Sequence, residues 1–171
     1  LFYGVFKLLF IYAQSSAAEQ SLSKELHVFR PFLGQWQANF PVKKNSTAMQ
    51  DVSQWARALN GTAVRTLHSI NEGEYGGESL IFWDKTKQKL VFYYFTTAGF
   101  YTQGTIEALP SGGFTAYEFV KGNQEGITQV KSTTHLRDNK MHVATQYLKN
   151  KQWTQPHTRT YIRSEKVVKF K

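Results

Sequence analysis

From residue 34 onward, apolar and polar positions alternate with a period of two, in short runs broken by polar turns rich in Gly, Asn or Asp. The runs are 35–40, 51–59, 62–70, 77–83, 89–97, 100–108, 113–120, 127–136, 141–148 and 153–163. Each reads as a β-strand. The separators NEGEYGG, DKTKQ, LPSGG, KGNQEG, RDNK and KNKQ are short, and Asn60-Gly61 supplies the positive φ values of a tight type I′ turn. Connections of this length join neighbouring antiparallel strands, and none has the helical period that a parallel crossover needs.

Ahead of the strands, SLSKELHVFRPFLG places Leu26, Phe29, Phe32 and Leu33 at helical spacing, with Ser21 or Ser23 as candidate caps. It predicts one or two helical turns ending at Gly34. An open sheet of about ten strands would leave two exposed edges, so closure follows. The predicted fold is all-β: an up-and-down antiparallel barrel of about ten strands with a short N-terminal helix, a β-sandwich being the alternative. In a barrel of this size the interior can exceed what side chains fill.

Composition adds limits. The 171 residues suit one domain, and the aromatic share of 15% fits a pleated surface. There is no cysteine, which excludes disulfides and thiolate chemistry. The formal charge of +9 is scattered, densest at Lys43-Lys44 and in the tail EKVVKFK, and no nucleic-acid partner is expected.

Residues 1–18 differ in kind. Lys7 precedes the apolar run from Leu8 to Ala13, followed by small residues from Ser15 to Ala18, as in a secretory signal cleaved near Ala17 or Ala18. An amphipathic helix belonging to the fold is the competing reading. The sequence divides into a signal-like segment 1–18, a barrel domain 19–163 and a charged extension 164–171, and the expected location is secreted or periplasmic, with no stable membrane insertion after signal removal. Asn45-Ser46-Thr47 and Asn60-Gly61-Thr62 match glycosylation sequons, although Asn60 is better explained by its turn.

With Gly34-Gln35-Trp36 at the helix-to-strand junction, a meander after it, and a basic residue in the last strand HTRTYIR, the chain resembles the calycin superfamily. That superfamily includes lipocalins, fatty-acid-binding proteins and nitrobindin-like barrels, and PFLGQW looks most like the last group and related bacterial barrels. The resemblance implies that Arg159 packs across Trp36 to close one end of the barrel. It also implies haem as a candidate cofactor, ligated by His157 on the last strand. The segment PVKKNSTAMQ is too short for the helical lid of fatty-acid-binding proteins.

The residues themselves suggest other chemistry. Strand alternation places His68 with Val64, Thr66 and Ile70, and Glu118 with Phe114, Ala116 and Val120. Either could face the interior, His68 as a hydrogen-bonded core histidine and Glu118 as a carboxylate of raised pKa, though a solvent-facing Glu is commoner. Phe92 and Tyr94 share one face of LVFYYF, with Tyr101 in the next strand, forming an aromatic, hydroxyl-bearing wall suited to a planar or apolar ligand or to a filled core. His157 shares a face with Arg159 and Tyr161, but Pro156 can shift the register there, and an ordinary surface histidine is the favoured reading. His135 and His142 lie on adjacent strands with no third ligand indicated, so no metal site is predicted. No phosphate loop, nucleophile elbow or carboxylate pair is present.

The sequence therefore favours binding of a small hydrophobic or planar molecule in a barrel cavity. The alternatives are an enzyme using His68, Glu118 or His157 as interior acid-base groups, and a structural module with a filled barrel.

Overall fold

The structure is a computed structural model that describes residues 21–40, 49–121 and 125–171. The signal-like segment 1–18, the Lys43-Lys44 pair and the sequon at Asn45 lie outside the described residues. The strands are β1 (Gly34–Asn39), β2 (Gln50–Ala58), β3 (Ala63–Ile70), β4 (Tyr75–Asp84), β5 (Lys89–Thr96), β6 (Tyr101–Ala108), β7 (Phe114–Phe119), β8 (Ile127–Arg137), β9 (Lys140–Lys149), β10 (Gln152–Trp153) and β11 (His157–Arg163). From β1 to β9 each strand pairs antiparallel with the next, and β11 fits between β9 and β1 to close a ten-stranded barrel. Strand β10 is a two-residue ribbon on the end of β9. The sequence predicted a single run from 153 to 163; Thr154 to Pro156 interrupt it, and proline has no N–H to give to the ladder.

The turn at Asn60-Gly61 is longer than a two-residue hairpin. Ala58 pairs with Ala63, so Leu59 to Thr62 form a four-residue connection with positive φ at Leu59, Asn60 and Gly61. Its tightness serves the N-terminal segment: Ser23 N–H donates to Gly61 O at 2.9 Å, and a Cβ on Gly61 would lie 2.0 Å from Ser21 O.

The helix is 3₁₀, Lys24–Phe32, longer than the one or two turns predicted. Ser23 takes the N-cap position without a side-chain cap. With three residues per turn, Leu26, Phe29 and Phe32 stack on one face, and all three are buried. They plug one end of the barrel against Trp36, Val64, Leu90, Ile106, Phe114 and Met141. Phe29 and Phe32 meet Phe114 edge-on at 5.1 and 5.3 Å. Fully burying a side chain of this size contributes about 1.5–3 kcal/mol, so the plug anchors the closed end.

Trp36 is fully buried on β1 and donates its indole N–H to Phe32 O at 2.7 Å. The cation across its ring is Arg163, whose guanidinium carbon lies 3.8 Å from the ring centroid, and not Arg159. The register explains the correction: Trp36 pairs with Arg163 across β1 and β11. Arg159 is on the same face of β11 but four residues earlier, beyond Tyr161, over Phe40 at 4.1 Å. Arg163 also donates to Leu33 O and Pro31 O at 2.6 and 2.7 Å, tying the helix C-terminus to the last strand. Gly34 has φ +112°, and a Cβ there would stand 2.9 Å from the Arg163 guanidinium, so glycine permits both the turn and the cation's approach.

The extension after β11 is bound to the barrel exterior. Ser164 N–H donates to Gln35 O, Lys169 N–H to Ser69 Oγ, and the Lys169 ammonium pairs with Glu72. Phe170 lies against Gly76. Among the described residues no helix is long and apolar enough to cross a membrane.

Candidate functional site

Above the plug the interior is not filled. A cavity of about 1090 Å³ runs from Phe114, Ile106 and Met141 up to the rim opposite the helix. Its lower wall is apolar; its middle is ringed by Ser53, Thr66, Ser79, Ser132, Thr134 and Thr145; its upper part carries the ionisable groups. The space depends on small residues on inward positions. Gly104 faces Phe92 across β5 and β6, and a Cβ there would lie 2.7 Å from the Phe92 ring. Gly77 stands beside His68, and a Cβ there would strike the Tyr94 ring at 2.4 Å.

Of the sequence-predicted site residues, His68, Phe92, Tyr94 and Glu118 line this cavity from inward positions on β3, β5 and β7. Tyr101 borders it only at the rim: it pairs with outward-facing Phe95, stacks on that ring at 5.9 Å and is 64% exposed. His157 is exposed beside Tyr147, ring centroids 6.3 Å apart, and is not part of the lining. Its parity is inward, since it pairs with cavity-lining Thr145, but β11 begins at that residue and leaves it at the barrel's edge. Arg159 is a cavity residue and not a partner of Trp36. Glu78 faces outward in a two-pronged pair with Arg65 at 2.7 and 2.9 Å.

His68 is the centre of a hydrogen-bonded chain. As a carboxylate, Asp51 can only accept, so His68 Nδ1–H donates to Asp51 Oδ1 at 3.2 Å. In the neutral imidazole, Nε2 then accepts from the Tyr94 hydroxyl at 2.7 Å, and Tyr75 O–H donates to Tyr94 at 3.2 Å. Tyr161 O–H donates to the other Asp51 oxygen at 2.8 Å. The donors thus converge on Asp51, from Tyr75 through Tyr94 and His68 on one side and from Tyr161 on the other, and Asp51, 5% exposed, is doubly bonded. Burial, then the Tyr75 hydroxyl and the Glu118 and Asp51 charges, push the Tyr94 phenol above its ordinary value. Burial and the Asp51 charge do the same for Tyr161, opposed by Arg159. Both phenols are therefore held as hydrogen-bond donors and not as nucleophilic phenolates.

Glu118 stands apart from this chain. It accepts from Thr102 Oγ1 at 2.6 Å, and burial raises its pKa, with the Thr102 bond opposing. His68 and Glu118 bond to different partners and form no direct acid-base pair. His135 and His142, paired across β8 and β9, bond to Gly112 O and Thr160 Oγ1, and among the described residues no group of three metal-capable side chains assembles.

Sequence reasoning missed Asp51, Tyr75, Thr102 and Tyr161. Their signal was parity: each is inward on a strand that carries, or pairs with, an inward-facing candidate. No protein-family model matches this chain, and no curated protein matches it in sequence.

Proposed function

We propose that the protein binds a small molecule with an apolar or planar body inside the barrel, as calycin-like barrels do. The supporting observation is the cavity, which has an apolar floor, aromatic walls at Phe92 and Tyr94, and a few polar groups near the rim. That mixture encloses a ligand's body and orients one end of it. Its size argues against a barrel filled by its own side chains. The exposed position of His157 outside the lining argues against haem ligation through that residue. The Asp51–His68–Tyr94 chain has the order of an acid-base relay, but its terminal phenol is disfavoured as an anion, so the chain serves recognition better than catalysis. The signal-like N-terminus supports action outside the cytoplasm.

The test is fluorescence titration with the neutral probe N-phenyl-naphthylamine. The expected result is saturable enhancement with one site per chain, weakened at least about tenfold by Ala116→Trp or by Ser132→Phe, either of which puts a large ring into the cavity. Absence of binding, or binding unaffected by both substitutions, would refute the proposal.

A further inference from the structure

We propose that the ligand carries a cationic amine, and that Glu118 is the residue that pairs with it. This rests on the cavity reading above and specifies its chemistry. The ionisable cavity groups differ in how well they are compensated. Both oxygens of Asp51 are occupied, by His68 and Tyr161, and Arg159 lies close enough to influence Tyr161. Arg159 itself rests over the Phe40 ring. Glu118 has only the Thr102 hydroxyl; among the described residues no cation stands within ion-pair distance of it. Lys121 borders the cavity mouth but is exposed and does not pair with it.

A half-buried carboxylate without a cation is partly desolvated at a cost, and a ligand ammonium would offset that cost. The neighbours of Glu118 leave room for one. Its register partners are Gly104 on β6 and Val130 on β8, with Thr102 and Ser132 beside them on the cavity face. Phe92 and Tyr94 line the wall two strands away on β5, and Tyr147 does so two strands away on β9. Two strand spacings are about 10 Å, so the carboxylate lies between aromatic side chains of β5 on one side and β9 on the other. An aromatic amine entering between them gains the ion pair at its head and contacts with aromatic side chains along its body. His68, Asp51 and Arg159 reach the same cavity from β3, β2 and β11, and Arg159, with Lys121 at the mouth, favours an anion instead.

The experiment compares three ligands with one indole body: tryptamine, the neutral alcohol tryptophol, and indolepropionate. Calorimetric titration of the wild-type chain is expected to show tryptamine binding roughly tenfold more tightly than tryptophol, the size of one charge-assisted contact. Indolepropionate should bind most weakly. Glu118→Gln should remove the amine preference while N-phenyl-naphthylamine still binds, which shows that the cavity is intact. Equal binding of the three ligands, preference for the carboxylate, or an amine preference that survives Glu118→Gln overturns the proposal. If the neutral probe itself fails to bind the wild type, the cavity reading falls too; if it binds, only the amine assignment is at stake.

Discussion

Replacing Arg163 by Met should destabilise the barrel far more than the same change at Arg159. The Arg163 guanidinium makes three contacts that Met cannot reproduce: the face of Trp36 at 3.8 Å and the carbonyls of Leu33 and Pro31 at 2.6 and 2.7 Å. A cation over an aromatic face at a partly exposed site is worth about 0.5–1 kcal/mol. Each hydrogen bond, discounted because the side chain reaches solvent, adds about 0.5–1 kcal/mol. The expected loss is roughly 2 kcal/mol. Arg159 rests on Phe40 and reaches the Tyr161 hydroxyl but holds no carbonyl of the helix, so its loss should be about 0.5–1 kcal/mol. Urea unfolding followed by tryptophan fluorescence measures both; with m near 2 kcal/mol/M, Arg163→Met should lower the midpoint by about 1 M. Equal losses, or a larger loss at Arg159, would show that the guanidinium on Trp36 does not fasten the helix and would refute this account of closure.

Gly61→Ala should cost about 1–3 kcal/mol by thermal or urea unfolding, because φ is +87° and the new Cβ would meet Ser21 O; an unchanged midpoint would mean the N-terminal segment is not held there. Tyr161→Phe removes a buried donor from Asp51 Oδ2 and should cost about 1.5–3 kcal/mol, a bond to a charged group, measured by the same unfolding curves. Glu118→Gln should stabilise the protein at neutral pH. The folded pKa of Glu118 lies above its ordinary 4.5, so the stabilisation from its protonated form is present below that value and disappears as pH rises through the raised one. Midpoints of wild type and variant should therefore converge in acid and separate toward neutrality, and a constant gap across that range would contradict the burial argument.

Much of the barrel was readable because its signals are local. Alternation and turn chemistry sit within a few residues of each other, and nine of the ten predicted runs correspond to single strands with ends displaced by at most two residues. The tenth was split where Pro156 interrupts the ladder. What was not readable depended on register between distant strands. Alternation correctly put Arg159 on the inward face of β11, but which inward residue meets Trp36 is fixed by the pairing of β1 with β11, and that choice was off by four residues. Tyr101 is placed at the rim for a related reason: its register partner across β5 and β6 is Phe95, which faces outward. At the site, His68 and Glu118 were visible as polar residues on apolar faces. Their partners were not, because Asp51 reads as the polar start of a strand, and Tyr75 is masked by the glycines after it. The 3₁₀ form of the helix was in the sequence as the spacing of Leu26, Phe29 and Phe32, which suits three residues per turn better than 3.6.

The most direct measurement is a titration of the ¹⁵N-labelled protein with N-phenyl-naphthylamine, followed by amide chemical shifts. An occupied cavity predicts the largest shifts on β5 to β9, at positions such as Thr102, Ala116, Ser132 and Val143 that line it, with little change on the outward Arg65–Glu78 face. Shifts confined to the barrel exterior, or none at saturating probe, would contradict the claim that the interior is a binding site.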